Sequence, residues 1–160
     1  ATHCDTISFC FSKGLGTPAG SILAGSLETI DLAHRYRKML GGGMRQVGIL
    51  AAAALHALDH HITRLKDDHR RAREFRAALE GVHSIEFPLP SPTNIVYIKV
   101  SDAMEFIGHL AERGVLALPL SRSRVRFVFN LNVDDDGLER AIEAVKRAAH
   151  NAARQPVQTI

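Results

Sequence analysis

The sequence contains no tryptophan and only two cysteines, and aromatic residues make up 6% of its 160 positions. Cys4 and Cys10 lie on one predicted strand, which disfavours a disulfide between them and fits a reducing compartment. The longest apolar run, from Gly48 to Leu55, is too short to cross a bilayer, and the N-terminus does not resemble a signal peptide. We therefore expect a cytoplasmic protein that has no membrane partner.

Neither sign of charge dominates the chain, since 20 basic and 17 acidic residues give a formal net charge of +3. The arginine-rich run 64–76 is interleaved with acidic residues, and its only aromatic residue is Phe75. This mixture is typical of a solvated helix face and argues against a dedicated polyanion binder. We therefore expect no nucleic-acid partner.

The first part of the chain combines short apolar strands with helical patterns. We predict strands at 6–12 and 21–25, a helix at 28–40 that three glycines end, and a helical segment at 44–79. The alanine-rich first half of that last segment should be buried, whereas its charged second half should lie at the surface. Its length favours a kink near the pair His60-His61.

The proline-rich segment 87–92 is the best candidate for a domain boundary. Beyond it we predict strands at 94–100, 115–118 and 124–131, helices at 103–113 and 134–149, and a loose tail at 151–160. The division is thus into residues 1–86, a small α+β domain at 87–150, and the tail. Because the chain lacks an initiator methionine and enters an apolar strand by residue 6, we expect the C-terminal part of a longer protein.

Lys13 follows an apolar strand and precedes a glycine-rich turn. At the carboxyl edge of a strand in an open α/β sheet, this amine would lie where such sheets bind their ligands. If it is buried beside apolar walls, the amine is a usable nucleophile toward a carbonyl. The alternative is a lysine that extends from a strand end into water.

Arg45 is predicted in the first turn of the long helix, where the helix dipole disfavours a cation. An anion held by the glycine N–H groups, the helix start and Arg45 would resolve this conflict, and Lys38 could reach the same anion. The alternative is a solvated arginine at a bend.

Arg126 lies on a strand whose other face is apolar. Val125, Phe127, Phe129 and Leu131 share the core face by their spacing of two, which leaves Arg126 on the opposite face. There its guanidinium could bind a substrate carboxylate in a bidentate fashion. The alternative is a surface arginine on a half-exposed strand.

The histidines His56 and His60 have the helical spacing of zinc-binding pairs, with Asp59 and His61 adjacent. A third ligand at suitable spacing, an HExxH sequence and a cysteine pair are all missing. We therefore predict no metal site.

The segments 11–21 (FSKGLGTPAGS) and 37–46 (RKMLGGGMRQ), in this order and at this spacing, resemble the low-specificity L-threonine aldolases. These are lyases of the aspartate-aminotransferase fold type that depend on pyridoxal 5'-phosphate. The run 125–131 (VRFVFNL) fits the C-terminal strand of the family less sharply. The similarity extends to about residue 150 and covers only the C-terminal half of the family.

The resemblance implies an α/β fold in which residues 1–86 belong to the large, cofactor-binding domain. Lys13 would be the lysine that forms the Schiff base with pyridoxal phosphate. Lys38 and Arg45 would lie near the cofactor, with Arg45 the better candidate for its phosphate. Arg126 would bind the carboxylate of the amino-acid substrate.

The activity that the resemblance implies is cleavage of L-threonine, L-allo-threonine and other β-hydroxy-α-amino acids to glycine and an aldehyde, as in threonine catabolism and glycine biosynthesis. The family also implies a homotetramer built from two dimers. In the family the partner of the pyridinium nitrogen, the stacking residue and the histidine expected to act as base lie in the N-terminal half. Two alternatives stay open: another lyase or aminotransferase of the same fold type, or a non-catalytic fragment.

Overall fold

The computed structural model describes residues 2–152, and the chain divides into two compact units after Leu65. This division comes earlier than the predicted boundary at 86/87. The reason is that helix Leu65–Leu79 contributes Ala72, Phe75 and Leu79 to the core of the second unit. The assignment of residues 1–86 to a cofactor-binding domain stays a prediction.

The first unit contains a β-hairpin followed by two helices: β1 (Thr6–Cys10), β2 (Ser21–Gly25), α1 (Leu27–Met39) and α2 (Gly48–His60). The two strands are antiparallel, and Cys10 pairs with Ser21 at the end from which the connecting loop leaves. Ser26 caps α1, because its Oγ accepts a hydrogen bond from the N–H of Thr29 at 3.3 Å. A small core of Phe11, Leu15, Ala54 and Ala57 joins the loop to α2.

Helix α2 is less buried within this chain than its composition predicts. Only Ala54 and Ala57 are buried, whereas Ile49 and Leu55 are 76% and 63% exposed. The helix is apolar on nearly all sides, but the first unit covers only the side that faces the loop after β1. The helix ends at His60, so the predicted interruption near the histidine pair is confirmed.

The second unit contains α3 (Leu65–Leu79), β3 (Ile95–Lys99), α4 (Ala103–Ala111), β4 (Leu118–Ser121), β5 (Arg124–Val128) and α5 (Asp135–Ala152), with α3 beginning at the last residue of the first unit. Its antiparallel sheet has the order β3-β5-β4. The core includes Val96 and Ile98 of β3, Val125 and Phe127 of β5, and Phe75 of α3. The predicted β-α-β-β-α arrangement after residue 93 is therefore confirmed.

Several details of the second unit differ from the prediction. The strand expected at 115–118 lies at 118–121, and Leu131, expected in the core, is 47% exposed. Helix α3 is not a wholly exposed charged helix, since residues spaced at helical intervals bury one of its faces. Of the tail predicted to be loose, Asn151 and Ala152 continue α5, and residues 153–160 lie outside the described residues. Within residues 2–152, no helix has the length and apolar character needed to span a membrane.

Candidate active site

Lys13 lies in the loop that connects β1 to β2, three residues beyond the end of β1. Among the described residues the strand before it pairs antiparallel with β2 in a hairpin, and the placement of Lys13 at the carboxyl edge of an open α/β sheet stays a prediction. The nucleophile argument assumed a buried side chain, but Lys13 is exposed. Its amine is therefore accessible to a ligand that approaches the loop.

The backbone around Lys13 is fixed by short-range hydrogen bonds. The N–H of Gly16 donates to the carbonyl of Lys13 at 2.8 Å, and the N–H of Thr17 donates to the carbonyl of Phe11 at 3.2 Å. Phe11 donates in turn to the carbonyl of Gly20 at 2.9 Å, which closes the loop at its base. Gly16 adopts a φ of 72°, a left-handed conformation that favours glycine. The sequence GLG after the lysine thus serves a tight turn.

Cys10 is a neighbour of Lys13 that the sequence did not single out as a functional residue. The Oγ of Ser21 donates a hydrogen bond to its Sγ at 3.4 Å. This hydrogen bond and the positive charge of Lys13 lower the pKa of the Cys10 thiol below its ordinary value. The spacing of Cys10 and Lys13 could have indicated this proximity, but only the cross-strand pairing brings Ser21 to the same place.

The glycine turn after α1 brings Lys38 close to the backbone of Gly43. A Cβ atom at Gly43 would lie 2.9 Å from the Cδ of Lys38 and 3.2 Å from its Nζ, so only glycine leaves room for this side chain. Gly41 has a φ of 80° and its N–H donates to the carbonyl of Lys38, while the N–H of Gly42 donates to that of Arg37. The N–H groups of Gly41 and Gly42 thus complete the end of α1 and are not available to an anion, contrary to the prediction.

Arg45 lies in the turn before α2 and not in its first helical turn, as predicted. Gln46 has a φ of 53°, which interrupts the helix, so that α2 begins only at Gly48. The proposed conflict with the helix dipole therefore does not arise. Arg45 and Lys38 are both exposed, and within residues 2–152 neither has a carboxylate within ion-pair distance. These cations remain available to a negatively charged ligand.

Arg126 lies on the central strand of the second unit, on the face opposite the core, as the alternation predicts. Its neighbours in the register are Tyr97 on β3 and Leu118 on β4. The side chain is half-buried, and its Nε is buried without a hydrogen-bond partner among the described residues. A buried donor without an acceptor is uncommon in proteins, which makes this Nε a candidate for contact with a ligand.

The rings of the three histidines at the end of α2 lie close together. The ring of His56 lies 4.4 Å from that of His60 and 5.5 Å from that of His61. In the described part of the chain, no group of three or more histidine, cysteine, aspartate or glutamate residues is arranged to hold a metal ion.

The lysine loop and the glycine turn both lie in a part of the chain that matches a known protein family. The family model of the beta-eliminating lyases matches residues 1–103, which include Lys13, Lys38 and Arg45. This chain belongs to the beta-eliminating lyase family. The two glycine-containing segments that resemble the low-specificity L-threonine aldolases both lie within the matched residues, and the curated relatives described next confirm that resemblance.

Curated relatives of this family member are named as threonine aldolases. The low specificity L-threonine aldolase of Escherichia coli K12 is 39% identical over 140 residues, which cover 85% of this chain and 40% of that protein. The low-specificity L-threonine aldolase 1 of Arabidopsis thaliana is 33% identical over 150 residues, covering 90% of this chain and 42% of that protein. The chain thus spans about two fifths of the length of these relatives.

A solved structure has the same fold over nearly the whole chain. The ornithine aminotransferase of Toxoplasma gondii, reported with partial occupancy of pyridoxal phosphate at its active site, matches with a TM-score of 0.68 at 18% identity. The match covers 94% of this chain and 38% of that protein. The chain therefore shares the fold of the corresponding part of that protein.

Proposed function

We propose that this protein is a lyase that depends on pyridoxal phosphate and cleaves L-threonine, L-allo-threonine and related β-hydroxy-α-amino acids to glycine and an aldehyde. The observation that carries the proposal is the Lys13 loop. It lies within the segment matched to the beta-eliminating lyases, and it combines a fixed backbone with an exposed amine. The names of the curated relatives support threonine as the substrate.

The residues of this chain fit the cofactor and substrate in chemical terms. Lys13 would bind the cofactor covalently through its amine, and Lys38 and Arg45, which have no carboxylate partner within residues 2–152, supply cations that suit a phosphate. The space at Gly43, which a Cβ would fill, keeps the Lys38 ammonium close to the backbone of the turn. When bound, pyridoxal phosphate accepts the electron pair that is released as the Cα–Cβ bond of the substrate breaks.

Arg126 would orient the substrate by its carboxylate. Its buried Nε lacks an acceptor within the described residues, and a carboxylate can accept hydrogen bonds from Nε and a terminal nitrogen at once. Tyr97 and Leu118 flank it on the neighbouring strands and would limit the directions from which a ligand approaches. Fixing the carboxylate fixes which bond at Cα is presented for cleavage.

We also propose a homo-oligomer, a tetramer built from two dimers, in the cytoplasm. Exposed apolar side chains on the helices of the first unit and at the end of α1 support a contact surface, among them Leu27, Leu40 and Ile49 at 79%, 86% and 76% exposure. The two free cysteines are compatible with a reducing compartment.

The experiment that tests the proposed activity uses the intact natural protein with pyridoxal phosphate and L-threonine. We expect equimolar glycine and acetaldehyde, measured by amino-acid analysis and by coupling the aldehyde to alcohol dehydrogenase. Borohydride reduction followed by peptide mapping should place the cofactor on Lys13. An aminotransferase would instead consume a 2-oxo acid and release the keto acid of its substrate, without forming an aldehyde.

The matched control is Lys66→Ala, which removes an exposed lysine at the start of α3. We expect Lys13→Ala to lose both covalent labelling and threonine cleavage, while Lys66→Ala keeps both. Cofactor that is trapped on another lysine, or cleavage that survives in Lys13→Ala, would contradict the assignment.

A further inference from the structure

The histidine cluster at the end of α2 takes part in fixing the Lys13 loop. The Nδ1 of His61 lies 2.6 Å from the carbonyl oxygen of Leu15, although 46 positions separate the two residues. A carbonyl oxygen can only accept, so Nδ1 must carry the proton and donate the hydrogen bond. His61 is therefore bonded to the backbone two residues after Lys13.

A second contact comes from the same segment. The Nη1 of Arg64 donates to the carbonyl of Gly14 at 3.4 Å, so the carbonyls of both residues that follow Lys13 are held. Gly14 also approaches Leu65 closely, because a Cβ at this glycine would lie 3.0 Å from the Leu65 Cδ2. The segment 61–65 thus forms a support for the loop.

The loop needs such a support because the side chain of Lys13 is exposed and has little packing of its own. Its position is determined by the backbone, and the backbone is held below the lysine by the buried side chains of Phe11 and Leu15. These apolar contacts hold the loop against α2, whereas the hydrogen bond from His61 is directional and fixes the orientation of the Leu15 peptide.

We propose that His61 is a positioning residue for Lys13, acting through its hydrogen bond to the Leu15 carbonyl. Loss of this bond would leave a half-buried carbonyl without its partner and let the loop sample other conformations. The catalytic consequence rests on the proposed function, since it requires Lys13 to bind the cofactor. The effect on the loop does not depend on that function.

The test compares variants of His61 in the intact natural protein. His61→Asn places an amide N–H on Cγ, where the imidazole has its Nδ1–H, and so keeps a donor. His61→Leu has a similar size and no donor, and His61→Phe keeps a ring without a donor. His60→Leu is the control, because His60 is the neighbouring histidine, is exposed, and has its ring 4.4 Å from that of His56.

The first measurement is hydrogen exchange of the cofactor-free protein, followed at the amides of Gly16 and Thr17. We expect both donorless variants to exchange about tenfold faster, which is the effect of losing one partly buried hydrogen bond. His61→Asn and His60→Leu should stay within about twofold of the wild type. Donorless variants with wild-type exchange, or an asparagine variant as fast as the leucine variant, would overturn the proposal.

The second measurement is the rate at which added pyridoxal phosphate is trapped on Lys13 by borohydride. We expect His61→Leu or His61→Phe to lower this rate about tenfold, and His61→Asn to restore it. Equal loss in the asparagine and leucine variants would overturn the role of the hydrogen bond. If the wild type takes up no cofactor while the donorless variants still exchange faster, the proposed function fails but the support of the loop by His61 stands.

Discussion

Replacing Gly43 by alanine tests whether the position of Lys38 above the glycine turn matters. The new Cβ would lie 2.9 Å from the Lys38 Cδ, closer than side-chain carbons approach one another, so one group must move. The lysine is the group that moves, because it is exposed at the end of α1 and can rotate about several bonds. The substitution therefore displaces the ammonium and leaves the backbone in place.

The magnitude follows from the exposure of the ammonium. An exposed charge that contacts a phosphate contributes about 1 kcal/mol, so displacing it should weaken cofactor binding about fivefold. Stability should not fall, since the φ of Gly43 is not in the left-handed region and alanine restricts the unfolded chain. Gly41→Ala is the matched control: at a φ of 80° alanine should cost about 1 kcal/mol of stability, yet no atom within 4 Å would be displaced.

The assay is a titration of the cofactor-free intact protein with pyridoxal phosphate, together with urea denaturation of each variant. We expect Gly43→Ala to lose affinity at unchanged stability, and Gly41→Ala to lose stability at nearly unchanged affinity. Wild-type affinity in Gly43→Ala would refute the role of the Lys38 position. An equal loss of affinity in both variants would show that the turn conformation matters and the lysine does not.

Two further predictions concern the core and the thiol. Phe75→Ala should lower the free energy of unfolding by about 3–5 kcal/mol in urea denaturation, because its fully buried ring packs in the core of the second unit. The control is Met104→Ala in the same unit. Its side chain is 64% exposed, so the free energy of unfolding should change by less than about 0.5 kcal/mol. Equal effects of the two substitutions would contradict the packing. Ser21→Ala removes the hydrogen bond that lowers the pKa of the Cys10 thiol. The pH profile of Cys10 alkylation, followed by mass spectrometry, should therefore shift to higher pH. The exposed Cys4 serves as an internal reference, and a Cys10 profile that does not move would exclude the contribution of Ser21.

The elements with strong local signals were predictable from the sequence. The strand at 21–25 is confirmed to the residue, since serine and glycine bound it, and the helix predicted at 28–40 is found at 27–39. The strand β4 was misplaced because Pro119 argues against a strand interior. The sheet order makes β4 an edge strand, where a missing N–H is tolerated, and its pairing with β5 sets its position.

The candidate site was predictable only where its chemistry is local. The sequence around Lys13 indicates a lysine before a tight turn, but the support from His61 joins residues 46 positions apart and leaves no periodic signal. The start of α2 was misplaced for a related reason. The left-handed φ of Gln46 is a property of one residue in one turn, and helical periodicity after it suggested that the helix already included Arg45.

Arg126 shows how an energetic cost can support a functional assignment. Arg71, also in the second unit, binds the Asp135 carboxylate at 2.7 Å, as expected of an arginine that contributes to stability. Arg126 instead has a buried Nε without an acceptor in the described residues, a situation that costs about 1–3 kcal/mol. Its cross-strand neighbours Tyr97 and Leu118 provide no carboxylate to offset that cost. Proteins tolerate such costs mainly at functional sites, so the unsatisfied donor agrees with the proposed role of Arg126 in binding a carboxylate, while the strand alternation only places the side chain on the face away from the core.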